Sequence, residues 1–174
     1  MTLFRVFVAA GVLSLAAFGE SAGGVQWATP AGWKSAGERP MRAATYAVPA
    51  TAGDSEAGEC AVFYFGPGQG GSVQANVDRW IAQFDQPDGK SSKALAKTQK
   101  RTLGGFAVTT IDLSGTYTGA GGPMGPKVTK PGYRLLGGIV EAPQGPVFFK
   151  FTGPAKTVAA NAAVFEKLLA SVKK

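Results

Sequence analysis

The densest chemistry-bearing clusters in this chain are two basic runs: Lys90, Lys93, Lys97, Lys100 and Arg101, then Lys127, Lys130 and Arg134. Brought together in space, they would form a positive patch able to dock an acidic partner. A solvated charged face is the plainer use of such runs. Nucleic-acid binding is not expected, because no aromatic side chains are interleaved with the lysines for base stacking. Between the runs, Met124 sits at the tip of a glycine- and proline-rich stretch, 119–132, and is a candidate apolar contact for the same partner. Stretches this long in a compact domain are either functional or merely flexible, and the sequence leaves both open.

Catalytic chemistry has few places to start. The 174 residues contain no histidine, which removes the commonest general base, the Ser-His-Asp and Cys-His constellations and most transition-metal sites. A non-enzymatic protein with no cofactor and no metal is therefore expected. Gly66-x-Gly68-x-x-Gly71 matches the letters of a dinucleotide-binding turn, but no parallel strand with a terminal acid follows its helix, and Pro67 lacks an N–H. Gly89-Lys90-Ser91 fails as a phosphate loop, since Phe84 stands where the leading glycine belongs. Asp54, Glu56 and Glu59 miss the spacing of a calcium loop and read as a solvated turn. Ser171-x-x-Lys174 has the letters of a nucleophile–base pair but lies in a tail expected to fray. Among Asp78, Asp85, Asp112 and Glu141 no pairing suited to acid–base hydrolysis is visible.

The N-terminus points to export. Arg5 precedes an apolar run, Val6 to Phe18, too short for a hydrocarbon core that needs about 20 residues. Small residues follow at Ala17-Phe18-Gly19 and again at Ser21-Ala22, the pattern of a signal peptide with two candidate cleavage positions. Residues 1–22 are read as the signal and 23–174 as one domain, with no transmembrane segment after cleavage. A periplasmic or secreted location follows. The single cysteine, Cys60, lies in an apolar run and is expected to be a buried small hydrophobe, so stability must come from the core alone. The net charge of +7 is unchanged by cleavage after Ala22, which removes Arg5 and Glu20 together.

With 25 glycines and 11 prolines the chain is well punctuated. Strands are expected at Val25–Ala28, Arg42–Val48, Glu59–Phe65, Thr98–Leu103, Phe106–Tyr117, Tyr133–Glu141 and Val147–Thr152. The fourth and fifth should form a hairpin about Gly104-Gly105. Ser72 is placed to cap a helix whose apolar face is Val73, Val77, Trp80, Ile81 and Phe84, stopped by Pro87-Asp88-Gly89. A second helix carries Val158, Ala162, Phe165, Leu168, Leu169 and Val172 on one stripe. The order predicts an α+β fold: an antiparallel sheet of about six to seven strands covered by two helices.

The combination Trp27-x-x-Pro30-x-Gly32-Trp33, Arg42 opening a strand, and Asn76-x-x-Arg79-Trp80-x-x-Gln83-Phe84 resembles small exported bacterial proteins of the PsbP-like superfamily. Tyr133, Phe148-Phe149-Lys150 and Thr152-Gly153-Pro154 before the last helix fit the same resemblance. It covers nearly the whole chain after the signal and implies an α/β/α sandwich. Members include photosystem accessory proteins, a Ran-release factor and chaperone-like bacterial envelope proteins, whose shared trait is protein binding. No catalytic residue carries over. The expected function is that of an accessory or binding protein, docking a protein or anionic envelope component. The alternatives are a small-molecule or lipid carrier with a pocket between sheet and helix, and a metal-independent hydrolase using carboxylates.

Overall fold

A computed structural model describes residues 19–119 and 128–174. Ten strands and four helices follow in chain order: β1 (Glu20–Ala22), β2 (Val25–Trp27), β3 (Lys34–Ser35), β4 (Arg42–Val48), β5 (Gly58–Tyr64), α1 (Val73–Ile81), β6 (Phe84–Asp85), α2 (Ser92–Leu95), β7 (Lys97–Leu103), β8 (Phe106–Tyr117), β9 (Lys130–Glu141), β10 (Val147–Pro154), α3 (Ala155–Ala160) and α4 (Ala162–Ala170). Eight strands form one sheet in the order β3-β4-β5-β10-β9-β8-β6, with β7 also pairing β8; β1 and β2 form a separate hairpin. Every pairing is antiparallel. The α+β architecture is the one expected, with two more short helices than the apolar stripes announced.

Strand alternation divides the apolar residues between two cores, one on each sheet face. In β10, Val147, Phe149 and Phe151 point to the face covered by α3, α4 and the β1–β2 hairpin, where they meet Trp27, Tyr46, Phe165 and Leu169. Phe148 points the other way, to Val77, Trp80 and Ile81 of α1, with Ile111, Leu113 and Ile139 from β8 and β9. Covered on both faces, the central strands can be apolar throughout. Cys60 is fully buried in the first core and unpaired. Burial pushes its thiol pKa well up, so it behaves as a hydrophobe.

Local chemistry explains several boundaries. Ser72 Oγ accepts the Ala75 N–H at 3.2 Å and starts α1. Gly104 and Gly105 both take positive φ, 56° and 82°, as a two-residue hairpin turn requires. Phe84, expected to extend α1, instead begins β6, its ring packed against Tyr117 at 5.3 Å. The expected single C-terminal helix breaks at Asn161, whose Nδ2 donates to Thr157 O while its Oδ1 accepts from Trp33 Nε1 at 3.0 Å. A side chain that competes for backbone groups and is held from elsewhere interrupts a helix.

Two ends are tied more firmly than the sequence suggested. The tail does not fray: Gln26 and Lys173 exchange backbone hydrogen bonds of 2.8 and 3.0 Å, and Val172 is buried. Ser171 is occupied, its Oγ donating to Leu168 O and accepting the Ala28 N–H. At the other end, Glu20 in β1 accepts from Tyr46 Oη at 2.8 Å. Of the two cleavage positions expected from the sequence, the one after Gly19 would leave this hairpin whole, and the one after Ala22 would delete its first strand.

Candidate functional site

Helix α1 packs over β8, β9 and β10 and leaves β7, the strand at the sheet's edge, bare: Lys97, Thr98, Gln99, Lys100 and Thr102 are all exposed. Between them runs an open groove of about 680 Å³. Its helix wall is Val73, Val77 and Ile81; its sheet wall is Thr98, Lys100 and Thr109. Lys93 and Ala96 border it where β7 begins, and Glu141, Ala142 and Pro146 border it where the β8–β9 ladder ends. Thr109 is 6% exposed and its hydroxyl has no hydrogen-bond partner among the described residues. An apolar wall facing a polar floor with basic groups at the rim suits a polypeptide segment or an elongated ligand.

The basic runs do not converge on one patch. Along β7 the side chains alternate, so Lys100 turns to the groove while Lys97 and Arg101 turn to the opposite face, where Arg101 meets Glu166 of α4 at 2.8 Å. Lys90 and Lys93 border a second shallow recess beside the groove with Asp85 and Gln86. Lys130 lies on the α1 face, hydrogen-bonded to Glu56 and Tyr133. Arg134 lies on the other face in a two-pronged contact with Asp112, both distances 2.8 Å. Met124 and Lys127 fall outside the described residues. Most of the charge is also spoken for: Lys90 pairs Asp88 and Lys93 pairs Asp78. Among the described residues, Lys97 and Lys100 carry no ion pair, and these two flank the open edge.

The acids likewise separate. Asp54 accepts from the Thr157 N–H and hydroxyl at 2.8 and 2.7 Å, bracing α3; Glu56 turns to Lys130 and Glu59 to Arg42. Among the described residues no cluster of three or more acids or cysteines could hold a metal ion. Asp78 and Glu141 both border the groove, and Asp78 is held by Lys93 and Gln74.

One group went unread in the sequence. Lys150, between Phe149 and Phe151, lies on the α1 face beyond the end of the helix, its amine 2.5 Å from Gln83 Oε1 and 5.5 Å from the centre of the Tyr117 ring. Its pKa is pushed down to about 8, chiefly by burial, with the Arg42 charge adding to the shift and Glu59 opposing it. Arg42, on the Phe63 ring and hydrogen-bonded to Glu59, is its neighbour in this cluster. The signal was present as a lysine inside an aromatic strand, Phe148-Phe149-Lys150-Phe151. What it lacked was any indication that the strand lies mid-sheet.

No protein-family model and no curated protein matches the sequence. Among solved structures, the chain is similar to the solution structure of cyanobacterial PsbP (CyanoP) from Synechocystis sp. PCC 6803, with a TM-score of 0.51 and 11% identity over 95% of this chain and 96% of that one. At that identity the likeness speaks for architecture alone. With the antiparallel sheet, its two covering layers and a match along almost its whole length, this chain has the PsbP-like fold.

Proposed function

We propose that this chain is an exported, non-enzymatic accessory protein that docks an envelope or secreted macromolecule in the groove between α1 and β7. The observation that carries the reading is that α1 stops short of β7, leaving an apolar helix flank opposite an exposed strand whose lysines lack ion partners among the described residues. The absence of histidine supports it, since no imidazole is available to move protons near neutrality. The signal-like N-terminus and lone cysteine support a periplasmic or secreted location. No helix among the described residues is long and apolar enough to cross a membrane.

A photo-crosslinking amino acid at Gln74, exposed on the groove rim, tests the reading against one at Ala163, exposed on α4. The expected result is a discrete adduct with an envelope component from Gln74 alone, lost in Lys93→Glu/Lys100→Glu and weakened by salt. Equal capture at both positions, or none, rejects the groove. The same groove favours a second reading, a carrier of a small molecule or lipid between helix and sheet. Native mass spectrometry of the freshly purified chain separates the two: a retained small mass supports the carrier.

A further inference from the structure

We propose that β7 is a strand-acceptor edge, and that the partner docked in the groove contributes an extended, acidic segment that adds to the sheet beside it; this rests on the docking reading above. The hairpin β7–β8 sets the geometry. Leu103 and Phe106 close a two-residue turn, so their pair exchanges hydrogen bonds, and pairs alternate from there. Arg101, Gln99 and Lys97 therefore bond to β8, while Thr98, Lys100 and Thr102 direct their N–H and C=O groups outward. Among the described residues, no strand but β8 pairs with β7, and none of these three residues makes a backbone hydrogen bond outside the sheet.

An open edge of seven residues is a template for another chain. The opposite edge of the sheet is not comparable, since it is formed by the two-residue β3. The edge residues of β7 decide what can pair with it. A second copy paired antiparallel about the middle of the strand would set Lys100 against Lys100, in a chain of net charge +7, and like charges placed opposite each other destabilise a strand pair. An acidic strand meets the reverse situation: two lysines, one on each face, free of ion pairs among the described residues. Its side chains on the α1 face would flank the groove beside Lys100. Glu141 closes the far end, so the acids belong toward the beginning of β7 and an apolar or neutral residue toward Leu103. Strand addition of this kind takes affinity from backbone bonds and selectivity from alternate side chains.

The test uses the full mature chain, labelled for NMR, and two capped synthetic seven-residue peptides of threonine with one glutamate placed to oppose Lys100 and one to oppose Lys97 in an antiparallel pairing. In one of them, the alternate amides that would face β7 are N-methylated. The expected result is slowed hydrogen exchange at the Thr98, Lys100 and Thr102 amides with the unmodified peptide. The methylated peptide should bind more weakly by on the order of tenfold, and Lys97→Glu/Lys100→Glu should abolish binding while keeping the native spectrum. Three outcomes overturn the proposal: equal affinity for the methylated peptide; no binding of either; or protection of the same amides in free protein that sediments as a dimer, which would make a second copy the occupant. Peptide-induced shifts at Gln74 and Val77 without slowed exchange would reject strand addition while leaving groove docking standing. Crosslinking from Gln74 judges that docking separately.

Discussion

Gly137→Ala is expected to cost about 3 kcal/mol of stability, the upper range for forcing one methyl group into a packed core. Gly137 and Gly138 sit side by side in β9, the strand between β10 and β8, and face opposite layers. A Cβ on Gly137 would lie 2.4 Å from Cζ3 of Trp80 and 2.7 Å from Cγ2 of Ile111. The Trp80 ring is buried and set edge-on to Phe148, so it cannot swing aside; α1 must lift, opening the contacts of Val77 and Ile81. A Cβ on Gly138 meets the end of the Leu169 side chain at 2.7 Å, which can rotate, so Gly138→Ala should cost less. Urea denaturation measures both. Combining Gly137→Ala with Trp80→Leu should recover part of the loss, giving a coupling of about 1 kcal/mol or more. Simple additivity, or a Gly137→Ala protein as stable as the parent, would show that the helix does not rest on this glycine.

Lys150→Met should stabilise the protein at neutral pH and remove one component of its pH dependence. The folded-state pKa of Lys150 is lowered from 10.5 to about 8, so between those values the unfolded chain binds more protons than the folded one. Stability from this group therefore rises with pH across that window, by about 3 kcal/mol in total, and the whole penalty is present below pH 8. Two other kinds of group oppose it. Burial raises the pKa of Cys60 above its ordinary 9.0, so its thiol favours unfolding above pH 9. Burial likewise raises Tyr46 and Tyr117, which favour unfolding above pH 10. The parent should gain stability from pH 8 to 9, level off, and lose it beyond 10. The part of the Lys150→Met advantage that comes from removing the charge, greatest below pH 8, should shrink to near zero by about pH 10.5. Losing the amine's bond to Gln83 subtracts about 1 kcal/mol from that advantage at every pH. A difference between the two proteins that stays constant from pH 7 to 10.5 would refute the buried charge.

The two predictions concern residues on one face of one sheet, and together they say what that face is for. Where α1 lies, it is sealed by glycine, tryptophan and phenylalanine. Past the end of the helix it is closed by Arg42 and Lys150, lying over the rings of Phe63 and Tyr117, with Glu59 hydrogen-bonded to Arg42. Toward β7 it is open. The groove between α1 and β7 is a stretch of this face, among the described residues, that neither a helix nor a charged side chain folded across the strands covers.

Local pattern was enough for much of this. Alternation in Val147-Phe148-Phe149-Lys150-Phe151 assigned each residue to its correct face, because a strand's side-chain period holds whatever its neighbours are. Ser72 and the spacing of Val73, Val77, Trp80 and Ile81 located α1, and Gly104-Gly105 located the β7–β8 turn, because a cap and a positive-φ turn are properties of a few adjacent residues. The same alternation, applied to Lys97, Lys100 and Arg101, already implies that the basic run splits between faces. Strand order carries no such local mark. That β7 is an edge, that β9 runs mid-sheet with helices pressed on both its glycines, that Lys150 is enclosed and that the tail is clasped by Gln26 all depend on partners tens of residues away in sequence. Those arrangements are selected by which surfaces bury one another, and only the assembled structure decides that.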